Sequence, residues 1–115
     1  MTIERLNTNQ RMSQAVKYGG VVYLAGQVAD DEGADVTTQT KQILAKIEAL
    51  LQQVGSDKTK LLSANIWLAD MGTFGEMNAV WDAWVPAGCA PARATVGAPL
   101  ATPGFKVEIG IIAAY

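Results

Sequence analysis

The stretch "PARATVGAPLATPGFKVEIGIIAAY", residues 91–115, decides how the chain reads. Its first part, "ARATVGA", and its last, "FKVEIGIIAA", are rich in small and β-branched residues, and the turn-forming "TPG" lies between them. Both read as strands. Period two places Arg93 and Thr95 on one face of the first strand and Ala94 and Val96 on the other. In the second strand Lys106, Glu108 and Gly110 share one face, and Val107, Ile109 and Ile111 share the other. One arginine and one glutamate thus interrupt two segments otherwise suited to burial, and each needs a reason.

Working back from this stretch, the rest of the chain supplies the elements these strands need. "KYGGVVYLAGQVA" carries a strand over Val21, Val22, Tyr23 and Leu24, bounded by Gly19-Gly20 and Gly26. "MSQAV" before it reads as a partner strand, with "KYGG" as the turn. From Thr37 to Val54 the period becomes helical. Ile43, Ile47, Leu50 and Val54 form the apolar stripe, Leu44 and Leu51 widen it, and Gly55 ends it. "KLLSANIWLAD" alternates again, with Leu62, Ala64, Ile66 and Leu68 on one face and Leu61, Ser63, Asn65 and Trp67 on the other. A second helix opens at "TFGE", where Thr73 and Glu76 have capping-box spacing. Phe74, Met77, Val80, Trp81 and Trp84 form its stripe, and Pro86 limits it.

The order β-β-α-β-α-β-β predicts one α+β domain over residues 1–115, a mixed sheet with two helices on one face. The other sheet face is left bare, and its apolar members predict packing against further subunits.

Composition excludes several function classes. The chain has 115 residues, half of them hydrophobic and 17% charged, with a formal net charge of −2. No basic stripe is present, which argues against nucleic-acid binding by phosphate neutralisation. No apolar run approaches the roughly 18 residues of a membrane span. The polar N-terminus "MTIERLNTNQRMSQ" lacks the apolar centre of a secretory signal, and the lone Cys89 precludes an intrachain disulfide, so a cytoplasmic location is expected. The chain contains no histidine, which removes Ser-His-Asp and Cys-His catalysis and the usual zinc sites.

Two residues stand out on chemistry. Arg93 reads either as a fork that grips a substrate carboxylate or as half of a structural ion pair. Glu108 reads as solvated, as paired with Arg93 or Lys106, or as a buried general acid/base. Gly26, in "LAGQ", permits close backbone approach or simply makes a turn. Cys89 has no histidine or lysine near it in sequence and reads as an ordinary thiol.

At these residues the sequence resembles the reactive-intermediate deaminases, the RidA family, formerly YjgF. "SQAVKYGGVVYLAGQV" is similar to the family's N-terminal strand pair, "FGEMNAVWDAWV" to its second helix with an asparagine at Asn78, and "PARATV" with "KVEIGIIA" to its C-terminal signature. The resemblance covers nearly the whole chain. It implies a chorismate-mutase-like α+β fold, a homotrimer with ligand clefts between subunits, and hydrolysis of reactive enamines and imines to 2-keto acids and ammonia without metal or organic cofactor. It further implies that Arg93 binds the substrate carboxylate, that Glu108 positions or activates water, and that Gly26 and Asn78 lie beside the ligand. On this reading the two charges sit on neighbouring strands of a shared cleft.

Three positions depart from the family pattern. Met12 stands where a tyrosine is common, Ala25 where the family has serine, and Thr95 where it has cysteine. The first two changes remove hydroxyls, while Thr95 keeps one. The resemblance therefore implies a subgroup with an altered pocket lined by Arg93, Thr95, Gly26, Asn78, Ala25 and Met12. The alternatives are a trimer that binds a small carboxylate without turnover, or a different hydrolytic step in a catabolic pathway.

Overall fold

The computed structural model describes residues 1–115. Strands β1 (Glu4–Thr8), β2 (Ser13–Tyr18) and β3 (Val21–Leu24) precede helix α1 (Val36–Gln53). Strand β4 (Leu61–Leu68), helix α2 (Phe74–Trp84) and strands β5 (Ala92–Gly97) and β6 (Val107–Ala114) follow. All six strands form one sheet in the order β1-β2-β3-β6-β4-β5. Only β4 and β5 pair in parallel, because α2 carries the chain back between them. The architecture is the mixed-sheet α+β fold the sequence predicts, with one strand more.

That extra strand is β1. "ERLNT" has only one apolar residue, and all of it but Leu6 is exposed, so hydrophobic alternation gives no signal. It pairs with β2 through Leu6↔Ala15 and Thr8↔Ser13 and forms one edge of the sheet.

The helices cover one face. Ile43, Leu44, Ile47 and Leu51 of α1 and Met77 and Trp81 of α2 pack on Val22, Ala64, Ile66, Leu68, Val107, Ile109 and Ile111 of the sheet, all buried. Alternation along β6 agrees with the sequence reading, since Val107, Ile109, Ile111 and Ala113 all point inward. Helix α1 begins where the Asp35 side chain accepts a hydrogen bond from the Thr38 N–H at 2.8 Å.

Two local expectations change. A register shift between Leu61 and Ser63 inserts a bulge at the start of β4, so Leu61 is buried and Leu62 is 47% exposed, the reverse of strict alternation. At α2 the Thr73–Glu76 capping box does not form. A short 3-10 turn, Met71–Thr73, precedes the helix. In it the Asp70 carboxylate accepts from Gly72 N–H, and the Thr73 hydroxyl donates to the Asp70 carbonyl instead of capping α2.

The second sheet face has no helix on it. Tyr18, Tyr23 and Val96 project from it, each 46–51% exposed. No helix in the structure is long and apolar enough to cross a membrane.

Candidate functional site

Strand register fixes the faces on which the two charges lie. Arg93 is the cross-strand partner of Ala64, which is 1% exposed beneath the helices, so Arg93 points to the helix side of β5. Thr95, paired with the buried Ile66, points the same way. Glu108 is the partner of Trp67, whose neighbours Ile66 and Leu68 face the core, so Glu108 points to the open face. The two charges do not sit on neighbouring strands: β4 runs between β5 and β6. Two strand spacings and three residues of rise put their Cα atoms roughly 14 Å apart, on opposite sides of the sheet. The expectation that they occupy neighbouring strands fails within the chain, because the chain crosses β4 to reach its place beside β3.

The Arg93 cluster forms at the sheet edge. The parallel β4-α2-β5 unit lays α2 over β5, and the Arg93 guanidinium carbon lies 5.4 Å from the Trp81 ring centre and 5.8 Å from that of Phe74. The guanidinium makes no ion pair and no side-chain hydrogen bond within the chain, so the structural ion-pair reading of Arg93 does not hold here. Asn78 is four residues beyond Phe74 and three before Trp81, which puts it on the same side of α2. Its Oδ1 and the Oγ1 of Thr95 are both buried without a hydrogen-bond partner. Unpaired buried polar atoms are uncommon, and these two flank the one arginine on the helix side of β5.

The second cluster forms on the open face. Glu108 folds directly over Gly26: a Cβ at residue 26 would collide with Glu108 Oε2 and lie 3.1 Å from its Cδ. The Gly26–Gln27 segment is held there by reciprocal backbone hydrogen bonds between Gln27 and Ile109, at 2.8 and 3.1 Å. The buried Gln27 side chain donates to Gln14 Oε1 at 2.9 Å and to the Ala25 carbonyl at 3.0 Å. Opposite Glu108 the Trp67 indole lies over Gly110, where a Cβ would sit in ordinary contact 3.5 Å from the ring. Glu108 makes no ion pair or hydrogen bond in the chain. Lys106, one of the partners suggested by sequence, donates to the Ala34 carbonyl instead.

Ala25 adjoins this second cluster as the chain neighbour of Gly26. The Ala25 N–H donates to the Gln14 carbonyl at 2.9 Å, which continues the β2–β3 register. The turn between β1 and β2 spans residues 9–12. Met12 lies in this turn, 40% exposed, with its N–H donating to Asn9 Oδ1 at 2.9 Å.

Six of the seven candidate residues therefore fall into two groups. Arg93, Thr95 and Asn78 lie on the helix side at one edge, Glu108 and Gly26 meet on the open face with Ala25 next to them, and the seventh, Met12, lies in the β1–β2 turn. A surface groove between α1 and α2, lined by Lys41, Glu48, Lys58 and Trp84 among others, includes none of the seven. The sequence puts Phe74 and Trp81 in the apolar stripe of the second helix and Trp67 on the less apolar face of its strand, with no functional role for any of them. The pairing of an aromatic helix with a following short strand that carries one arginine was the available signal for Phe74 and Trp81. For Trp67 the signal was its place on the mixed face of its strand. No group of three or more histidine, cysteine, aspartate or glutamate side chains is clustered as a metal centre would require.

Comparison with known proteins defines the class. The family model described as Endoribonuclease L-PSP matches residues 2–115. The RutC family protein YoaB of Escherichia coli is 46% identical over 99% of both chains. The crystal structure of a YjgF family member from Neisseria meningitidis superposes with a TM-score of 0.96 at 47% identity, covering 99% of this chain and 95% of that one. The mitochondrial protein mmf1 of Schizosaccharomyces pombe is 36% identical over 95% of this chain and 71% of its own. The chain belongs to the RidA/YjgF family, also described as Endoribonuclease L-PSP. That membership supports a role in handling small molecules.

Proposed function

We infer that the protein is an enamine/imine deaminase that hydrolyses small imines carrying a carboxylate to 2-keto acids and ammonia. Its site would be shared between copies of the chain, with Arg93 from one and Glu108 from the next. The observation that carries this reading is the unpaired state of both charges, one at a sheet edge and one on an open apolar face. A fork with free N–H donors suits a carboxylate bound through two parallel hydrogen bonds. A carboxylate with a free oxygen suits proton transfer with water.

The reaction needs little more than these two groups. With its carboxylate held by Arg93, the protonated imine is attacked at carbon by a water molecule that gives a proton to Glu108. The product is a neutral carbinolamine. Glu108 returns the proton to nitrogen and then takes the hydroxyl proton, so that the C–N bond breaks as the C=O bond forms; the departing ammonia carries that proton away as ammonium, with the 2-keto acid behind. The imine is already electrophilic, so positioning and charge complementarity supply most of the acceleration. Asn78 and Thr95 would line the Arg93 side, and Gly26, Ala25 and Met12 the Glu108 side.

A second copy of the chain is the occupant that suits the open face, because the residues it exposes, Tyr18, Tyr23 and Val96, are apolar or aromatic. We propose the trimer common to the family, and a cytoplasmic location consistent with the free Cys89. An RNA substrate fits less well, given the net charge of −2 and the aromatic, not basic, surroundings of Arg93.

The test is ammonia release from a panel of imines generated in situ by an amino-acid oxidase. Wild type should exceed the uncatalysed rate on at least one imine, and Arg93→Ala should not. Equal rates for wild type, variant and buffer on every imine would remove the deaminase reading. A second reading, ligand binding without turnover, is favoured by the missing hydroxyls at Met12 and Ala25. Saturable, Arg93-dependent binding of a 2-keto acid, with no ammonia release from any imine, would establish it.

A further inference from the structure

The Arg93 guanidinium is free of hydrogen bonds in the chain, yet two aromatic rings of α2 flank it, Trp81 at 5.4 Å and Phe74 at 5.8 Å. We propose that Phe74 and Trp81 are positioning residues: an aromatic bracket that holds the Arg93 side chain in its carboxylate-binding pose before the ligand arrives. The proposal rests on the reading of Arg93 as the carboxylate fork and specifies how that fork is pre-organised.

Three observations support it. First, attraction to the rings uses the cation without using its N–H groups. An ion pair or backbone carbonyl would fix the arginine equally well but would consume the donors that a carboxylate needs. Second, the bracket is itself braced. Trp81 is buried and packs against Trp84, ring centres 5.5 Å apart. The Trp84 Nε1 donates to Glu48 Oε1 at 2.7 Å, and Glu48 pairs with Lys58 at 2.9 Å. The inner ring is therefore tied through α2 to α1. Third, Phe74 is 39% exposed, so core burial alone does not account for a large aromatic at that position. Its place in the first turn of α2 sets it beside the exposed arginine.

An arginine on an edge strand has many rotamers, and ordering it on binding weakens affinity. A bracket removes part of that loss in the free protein. It acts only through Arg93, so it should affect ligands that carry a carboxylate and leave others alone.

The experiment is calorimetric titration of 2-oxobutanoate and its neutral amide into wild type, Phe74→Leu, Trp81→Leu, Trp81→Phe and Arg93→Ala, together with the Phe74→Leu/Arg93→Ala double variant. Phe74→Leu should weaken the acid by about three- to tenfold, as expected when one long side chain must be ordered on binding, and leave the amide unchanged. Trp81→Phe, which keeps a ring, should stay near wild type, whereas Trp81→Leu should not. In the Arg93→Ala background Phe74→Leu should have no further effect. Phe74 is a surface residue, so its variant reports even if Trp81→Leu fails to fold. If wild type binds the acid through Arg93 but Phe74→Leu binds equally well, or weakens acid and amide alike, the bracket is refuted and the carboxylate fork stands. If wild type binds the acid no better than Arg93→Ala, the fork itself falls, and the bracket with it.

Discussion

Arg93 and Glu108 face away from each other across a single sheet. The cross-strand partner of Arg93 is Ala64, under the helices, and that of Glu108 is Trp67, on the uncovered face. Three residues of β4 and the thickness of the sheet separate them. A small imine could not touch both in one chain. If both serve one reaction, they do so from different copies, and each chain contributes to two sites.

Gly26 tests the geometry of the Glu108 half. Its backbone is outside the left-handed region, so alanine is allowed by conformation, and the three atoms nearest the added Cβ all belong to the Glu108 side chain. Gly26→Ala should leave the thermal transition within a few degrees of wild type while displacing Glu108. Imine hydrolysis should fall by roughly tenfold to a hundredfold, as expected when a reacting group moves by about an ångström. Comparison of calorimetric melts with initial rates checks this. A large loss of stability with proportionate loss of activity would mean that Gly26 serves the fold and not the site.

Gln39 tests how the loops around the site are held. It is fully buried on α1. Its Nε2 donates to the carbonyls of Gly104, Ala34 and Glu32 at 2.9, 3.0 and 3.2 Å, and its Oε1 accepts from Lys106 N–H at 2.9 Å. One side chain thus pins the loop before α1 to the loop that leads into β6 and Glu108. Gln39→Ala should cost about 2–4 kcal/mol in urea denaturation, because it leaves buried backbone groups unpaired. A loss below about 0.5 kcal/mol would show that water or other groups replace it.

Asp35 sets an acid limit on stability. Hydrogen bonds from the Thr38 backbone N–H, and then from its hydroxyl, hold the Asp35 carboxyl below its ordinary value of 3.8. Because the folded value is the lower one, its stabilising contribution is complete above about pH 3.8 and is lost as pH falls through the depressed value. Asn is also a good helix cap. Asp35→Asn should therefore melt close to wild type at pH 7 and lose less stability than wild type as pH falls below about 3.8. Parallel acid-side slopes for the two proteins would contradict the assignment.

The sequence was most legible where local period decides structure. The stripe Ile43, Leu44, Ile47 and Leu51 and the alternation of Val107, Ile109 and Ile111 marked the helix and strand that form the core, and the facing of Arg93 with Thr95 was readable from period two alone. Strand β1 was not legible because an exposed edge strand needs no hydrophobic pattern. The exchange of Leu61 and Leu62 depends on a bulge, and a bulge is set by pairing with β6. The capping box at Thr73 had the right spacing but lost to the Asp70 turn, a choice made by the preceding chain path. The separation of Arg93 from Glu108 is a matter of strand order. Period two assigns faces within each strand, but it does not say that β4 intervenes or which face of one strand matches which face of another.

The most direct test of a site shared between chains is subunit mixing. Arg93→Ala and Glu108→Gln should each be inactive in imine hydrolysis. Unfolded together in equal amounts and refolded, they should regain about a quarter of the wild-type rate per site, because random assembly restores that fraction of Arg93–Glu108 pairs across subunit boundaries. Activity that stays at the level of the separate variants, in a mixture shown by mass spectrometry to contain mixed oligomers, would contradict the shared site.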